Sequence, residues 1–126
     1  MTWRAVGSTG EPYPGWLREL TAASGVYAIR VRGLLGGWTV VYVGESHKGR
    51  LRKTITRHLQ AWGRSKQWWK GFFGGSDADP GFTYPRDRCE VAVEVSRPDQ
   101  AVRLQSKWIA DLNPRDNVLA TGEAPF

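Results

Sequence analysis

The chain lacks several things, and each shortage narrows what it can be. It has a single cysteine, Cys89, so it can form no internal disulfide and offers no zinc-ligand spacing; the expectation is a reduced, cytoplasmic setting. No run of about 18 apolar residues occurs, which excludes a helical membrane span. The opening stretch MTWRAVGSTGEPYPGW has no continuous apolar core of the kind a secretory signal needs. Internal repeats and low-complexity tracts are missing too. Acidic residues are absent from one long segment. Between Ser46 and Ser76 there are eight Lys and Arg and no Asp or Glu, while the rest of the chain holds ten basic and twelve acidic residues. The whole net charge of +6 therefore resides in this segment. A block this one-sided repels itself unless it faces water or a polyanion, and nucleic acid is the expected partner.

At 126 residues the chain is expected to be one domain. Residues 1–23 read as a leader with one short helix over 14–23, and residues 118–126 as a loose tail, leaving a core of 24–117. SGVYAIRVRG (24–33) alternates as a strand, LLGG supplies turn glycines at Gly36 and Gly37, and WTVVYVGES (38–46) is a second strand. So short a connection makes an antiparallel hairpin. GRLRKTITRHLQAW (49–62) has helical period. SKQWWKGFF (65–73) reads as a short helix or a loop, and the Gly-, Pro- and Asp-rich 74–87 as loop. CEVAVEV (89–95) alternates as a third strand. RPDQAVRLQSKWIADL (97–112) is the last helix, with Pro98 suited to its first turn and Asp99 to its positive end, and NPRDN (113–117) stops it. The expected fold is a small α/β (α+β) domain: a three-stranded antiparallel sheet flanked by helices.

The candidate site residues come from placing these periods side by side. With a two- or four-residue connection, paired hairpin positions sum to an odd number, so Tyr27 and Tyr42 point to one face. Two phenols there either pack a core with a wet edge or meet a ligand at it. Projecting 49–62 at 100° per residue, with the apolar stripe centred on Ile55 and Trp62, puts His58 roughly 50° and Arg52 roughly 70° from the centre. Both then border the packed face, while Arg57 and Lys53 point to solvent. An arginine at that border can grip a phosphate through two N–H groups. His47, in the loop before the helix, is a further candidate. On the last helix Ala101, Leu104, Trp108, Ile109 and Leu112 share a face, and the uncharged polar Gln105 lies among them. Glu90 and Glu94 are candidate cation ligands, but they alternate with valines on the third strand and read as solvent-facing. In HLQAWGRSKQWWKGFF, Trp68 and Trp69 sit among Arg64, Lys66 and Lys70. That mixture suits single-stranded nucleic acid, where rings stack on bases and cations follow the backbone; it suits equally a second small aromatic core. Lys48, Arg50, Lys53 and Arg57 complete the basic candidates for nucleic-acid contact.

The ordered set of GVY (25–27), YVG (42–44), a helix bearing Arg and His, and a helix ending LNP with an Asn behind it resembles the GIY-YIG nuclease superfamily. The resemblance runs from about Gly25 to Asn117. It implies a metal-dependent endonuclease, using Mg²⁺ or Mn²⁺, that hydrolyses DNA phosphodiester bonds. It assigns the motif tyrosines to Tyr27 and Tyr42, the arginine to Arg52 with Arg57 as the alternative, the further helix residue to His58 and the closing asparagine to Asn117. It assigns the metal ligand, a glutamate in the family, to Gln105. A hard dication prefers a carboxylate to an amide oxygen. The chain is thus an enzyme with a weaker or differently held ion, a binder of nucleic acid that does not cut, or a sequence altered at this position. With no separate element for reading the major groove, single strands or flaps are the expected substrate.

Overall fold

The computed structural model describes residues 1–60 and 82–117. Among the described residues the sheet is antiparallel throughout and has four strands rather than three. β1 (Arg4–Ala5), β2 (Gly25–Arg32), β3 (Trp38–Ser46) and β6 (Cys89–Val95) lie in the order β1-β6-β2-β3. The extra strand comes from the stretch read as leader: Arg4 pairs with Val91 and Ala5 with Glu90. Two residues are too few to show alternation, so no sequence pattern marks it. A second, two-stranded parallel sheet joins β4 (Leu59–Gln60) to β5 (Tyr84–Pro85), the latter inside the stretch read as loop, and a 3₁₀ turn over Arg86–Arg88 leads into β6.

The hairpin has the expected odd sum at its base, where Tyr27 pairs with Gly44 and Ile29 with Tyr42. A bulge between Ile29 and Arg30 then shifts the register, so that Arg30 pairs with Val40. The turn closes through Gly36 at φ +98°, a conformation that glycine takes without strain. β2 begins with Gly25 between two strands. A Cβ there would overlap the Glu94 carbonyl oxygen and lie 2.9 Å from Val95 Cα, so the sheet closes at this point because the residue has no side chain.

The two faces of the sheet bury different cores. Tyr27, Ile29, Val41 and Val91 meet Leu17, Leu20, Leu51, Ile55, Leu59, Phe82 and Tyr84 on one face. These come in part from α1 (Gly15–Arg18), shorter than the helix expected over 14–23, and from α2 (Leu51–Arg57). On the other face Val26, Ala28, Val43 and Ala92 pack under Trp108, with Leu104, Ile109 and Leu112 beside it, all from α3 (Pro98–Leu112). α3 keeps the expected bounds: Pro98 opens it, and Asn113, at φ +48°, closes it with its N–H donating to Ile109 O at 2.9 Å, ahead of Pro114.

α2 stops five residues short of the expected end. Its C-cap is His58, whose carbonyl accepts the Tyr84 N–H at 2.7 Å, and the chain then runs extended as β4. The leader is held by buried Arg86. Its guanidinium donates to Val6 O at 2.9 Å, Glu11 O at 2.8 Å and Pro12 O at 3.3 Å, and lies 4.1 Å from the Tyr13 ring centroid. Cys89 is buried, donates to Pro85 O, and has its thiol pushed up to about 12 by burial. No helix among the described residues is long and apolar enough to cross a membrane.

Candidate active site

The site forms where β3 ends the sheet. Because Tyr27 faces a glycine across the ladder, its ring lies over the β3 backbone at Gly44; a Cβ on Gly44 would overlap the ring at Cζ and Oη. Tyr42, two residues along the same face, has its ring centroid 6.3 Å from that of Tyr27. His58, just past α2, stacks 4.6 Å from Tyr42 and 6.0 Å from Tyr27. A cavity of about 270 Å³ opens over this group, lined by Tyr27, Tyr42, Gly44, Glu45, Thr54, Arg57, His58 and Gln105. Gln105 reaches it from α3 on the opposite face of the sheet, so the cleft wraps the β3 edge.

Of the two arginines weighed on α2, Arg57 lines the cleft and Arg52 does not. Arg52 donates to Thr21 Oγ1 at 3.1 Å and lines a separate hollow. The expectation that Arg57 points to solvent is therefore corrected. The projection measures distance from the stripe but does not show which flank of the helix faces the cleft. The stripe is Leu51 and Ile55 alone, and around that centre Thr54, Arg57 and His58 fall on one flank, with Arg52 and Thr56 on the other, about 160° separating Arg52 from Thr54.

Asn117 is not in the cleft lining. It is buried, and its amide makes two bonds to one residue of β3: Val43 N–H donates to Oδ1 at 2.6 Å and Nδ2 donates to Val43 O at 2.8 Å. It acts on the edge strand as a short segment of neighbouring strand would. Beside it, buried Asp116 accepts the Tyr84 hydroxyl at 2.7 Å and the Arg115 guanidinium at 2.9 Å. His47 lies outside the lining as well, with Nδ1 3.0 Å from a Glu45 carboxylate oxygen. Lys48, Arg50 and Lys53 are exposed. Glu90 is half-buried rather than solvent-facing, ion-paired with Arg30, whose guanidinium sits between the rings of Trp3 and Trp38; Glu94 is exposed. Trp62, Arg64, Lys66, Trp68, Trp69 and Lys70 lie outside the described residues.

Thr54 and Glu45 are lining residues that the sequence reading missed, and Glu45 is the charged one. It follows Gly44 on β3 and pairs with Val26, whose side chain belongs to the face beneath α3. It is the only carboxylate among the described cleft-lining residues.

Burial sets the protonation states. It raises the Tyr27 phenol well above its ordinary value, reinforced by Tyr42 and Glu45 and opposed by Arg57. Burial and Glu45 likewise raise Tyr42. Both phenols therefore enter the cleft as hydrogen-bond donors. His58 is lowered to about 4, chiefly by burial and also by Arg57, against the bond to Phe82 O. A carbonyl only accepts, so the 2.7 Å contact from Nδ1 to Phe82 O makes Nδ1 the donor. Nε2 is left as a lone-pair acceptor on a neutral ring.

This has a consequence for stability. The unfolded imidazole takes up a proton near pH 6.5, the folded one only near 4. Between those values the unfolded chain binds more protons, so the contribution of His58 is complete above pH 6.5 and is lost as the pH falls toward 4. Urea unfolding at pH 7.5 and pH 5.0 is expected to show wild type losing about 2 kcal/mol more than His58→Gln over that interval. Equal losses would remove the buried neutral imidazole from the account.

The residues can be tested against the divalent ion that the family resemblance implies. Mg²⁺ is held by one or two carboxylates, with waters and substrate oxygens completing its shell. The cleft offers one carboxylate, Glu45, and one amide oxygen, Gln105. No group of three or more His, Cys, Asp or Glu that could hold an ion exists among the described residues. The donor set fits an ion carried largely by water and substrate. No family model matches the chain, and neither the curated proteins nor the solved structures provide a match.

Proposed function

We propose that the protein is a metal-dependent endonuclease that hydrolyses DNA phosphodiester bonds, with single strands or flaps as its substrates. The observation that carries this reading is convergence. Tyr27, Tyr42, Arg57, His58 and Gln105, from four separate elements and from both faces of the sheet, line one cleft, and they correspond to positions of the GIY-YIG pattern, with Arg57 at the alternative arginine position rather than Arg52.

The chemistry follows from the states of the groups. Arg57 supplies a fixed cation for charge that grows on the phosphoryl oxygens. The two protonated phenols donate to the same oxygens or to the attacking water. His58 Nε2 is the acceptor through which that water can lose its proton, a role that improves as a bound phosphate raises the imidazole from about 4. Glu45 and Gln105 would hold the divalent ion, which supplies Lewis-acid polarisation of the phosphate when bound.

The test is cleavage of labelled single- and double-stranded DNA with Mg²⁺ and Mn²⁺. Arg57→Ala is expected to lower the rate about 100-fold, and Gln105→Glu to lower the ion concentration needed for half-maximal rate. An Arg57→Ala protein that cuts like wild type would overturn the reading. The neutral Gln105 favours a second reading, a nucleic-acid-binding module of the same fold. That module would bind DNA with steep salt dependence and show no turnover in wild type or in Gln105→Glu.

A further inference from the structure

α2 separates the cleft from a second cavity, of about 390 Å³, on its other flank. Arg50, Arg52, Lys53, Thr21 and Thr56 line it with Ala22 and Gly49. Three cations thus share one hollow with no carboxylate among its described lining residues, while the Thr21 and Thr56 hydroxyls donate to the Arg18 and Lys53 carbonyls. None of the three is ion-paired among the described residues. Gathering like charges around one hollow raises the energy unless an anion or solvent screens them.

The hollow is also built rather than incidental. Two serines at paired strand ends, Ser24 beside Gly25 and Ser46 opposite it, accept the N–H groups of Gly49 and Arg50 at 2.9 Å each. The Leu51 N–H donates to Ala23 O at 3.1 Å. These bonds rivet the loop before α2 to the turn before β2. Arg52 is held in turn: its guanidinium donates to Thr21 Oγ1, whose own hydroxyl donates to Arg18 O at 3.0 Å. Ala22 is left-handed at φ +68°, which costs a non-glycine residue about 1–2 kcal/mol. Gly49, at φ +70°, faces it so closely that a Cβ would stand 3.1 Å from Ala22 O. Backbone strain of this kind persists where the surroundings hold a particular shape.

We propose that this hollow is a second phosphoryl-binding site, which anchors a backbone phosphate of the strand whose scissile phosphate occupies the cleft. The two sites are one helix width apart, about 10 Å. Backbone phosphates stand farther apart than the axial rise of about 3.4 Å, so that span is fewer than about three nucleotides. The hollow would then position the strand and set where the cut falls relative to the anchored phosphate. The hollow's affinity for phosphate rests on its own residues; its spacing from the scissile phosphate rests on the nuclease reading.

The experiment measures binding without metal, so that it does not depend on cleavage. A labelled 12-nucleotide single strand is titrated by anisotropy at several salt concentrations against wild type, Lys53→Gln, and the triple variant Arg50→Gln, Arg52→Gln, Lys53→Gln. Each neutralised contact should lower the slope of log K against log salt by about 0.7. The expected slope is therefore shallower by about 0.7 for Lys53→Gln and about 2 for the triple variant. Lys53 is exposed, so its single variant answers even if the triple variant folds poorly. A slope equal to wild type in Lys53→Gln, or in a folded triple variant, would overturn the proposal. In parallel, calorimetric titration with inorganic phosphate distinguishes the source. Phosphate binding lost in the triple variant while oligonucleotide binding stays unchanged would overturn the strand assignment.

Discussion

Gly44→Ala will keep the fold and lose the cleft. Its methyl group would occupy the space now held by the end of the Tyr27 ring, overlapping Cζ and Oη and standing 2.8 Å from Cε1. Tyr27 cannot swing away freely, because it is 1% exposed and belongs to the larger core. The ring must shift together with β3, at a cost of about 1–3 kcal/mol. Tyr27 and Tyr42 both border the displaced atoms, so the arrangement of donors changes much more than stability does. On the proposed nuclease reading, the expected result is a DNA cleavage rate reduced at least about 100-fold, with urea unfolding still cooperative and only modestly shifted. Wild-type cleavage by a folded Gly44→Ala protein would show that the ring position does not matter.

Asn117→Ala is expected to cost about 3 kcal/mol, more than most single truncations. The substitution leaves a buried N–H and a buried C=O of Val43 without partners, each worth about 1–3 kcal/mol. Asn117→Asp should not rescue it. The carboxylate can still accept from the Val43 N–H, but it cannot donate to the carbonyl and brings negative charge against it. Urea unfolding of the three proteins decides the matter: an Asp variant as stable as wild type would mean that the second bond contributes nothing. Asn117 fixes the edge strand that carries Tyr42 and Gly44.

How far the site was legible depends on the range of the interactions that place each residue. Tyr27 and Tyr42 follow from alternation and hairpin parity, which are local, and the bulge lies beyond both of them. Gln105 follows from helical period, and α3 begins and ends on its own capping residues. The choice between Arg52 and Arg57 turned on which flank of α2 faces the cleft. That is set by packing, in which Phe82 and Tyr84 hold His58 through contacts across 24 and 26 positions that the local pattern does not encode. β1 was hidden for the same reason: its pairing and the Arg86 bonds that hold the leader span most of the chain. Glu45 escaped notice because alternation sends it to the face opposite Tyr42. Only a cleft that turns the corner of the sheet brings the two together.

That corner has a thermodynamic consequence. α2 and α3 lie on opposite faces of the sheet, and β3 carries the wall between them. A ligand touching Arg57 and Gln105 at once clasps both layers across the open edge. Opening either layer would then release the ligand, so ligand affinity enters the cohesion of the whole domain. Occupancy at 100 times the dissociation constant would add about 2.7 kcal/mol to the unfolding free energy. In this molecule, occupying the cleft and holding the two layers together are the same event.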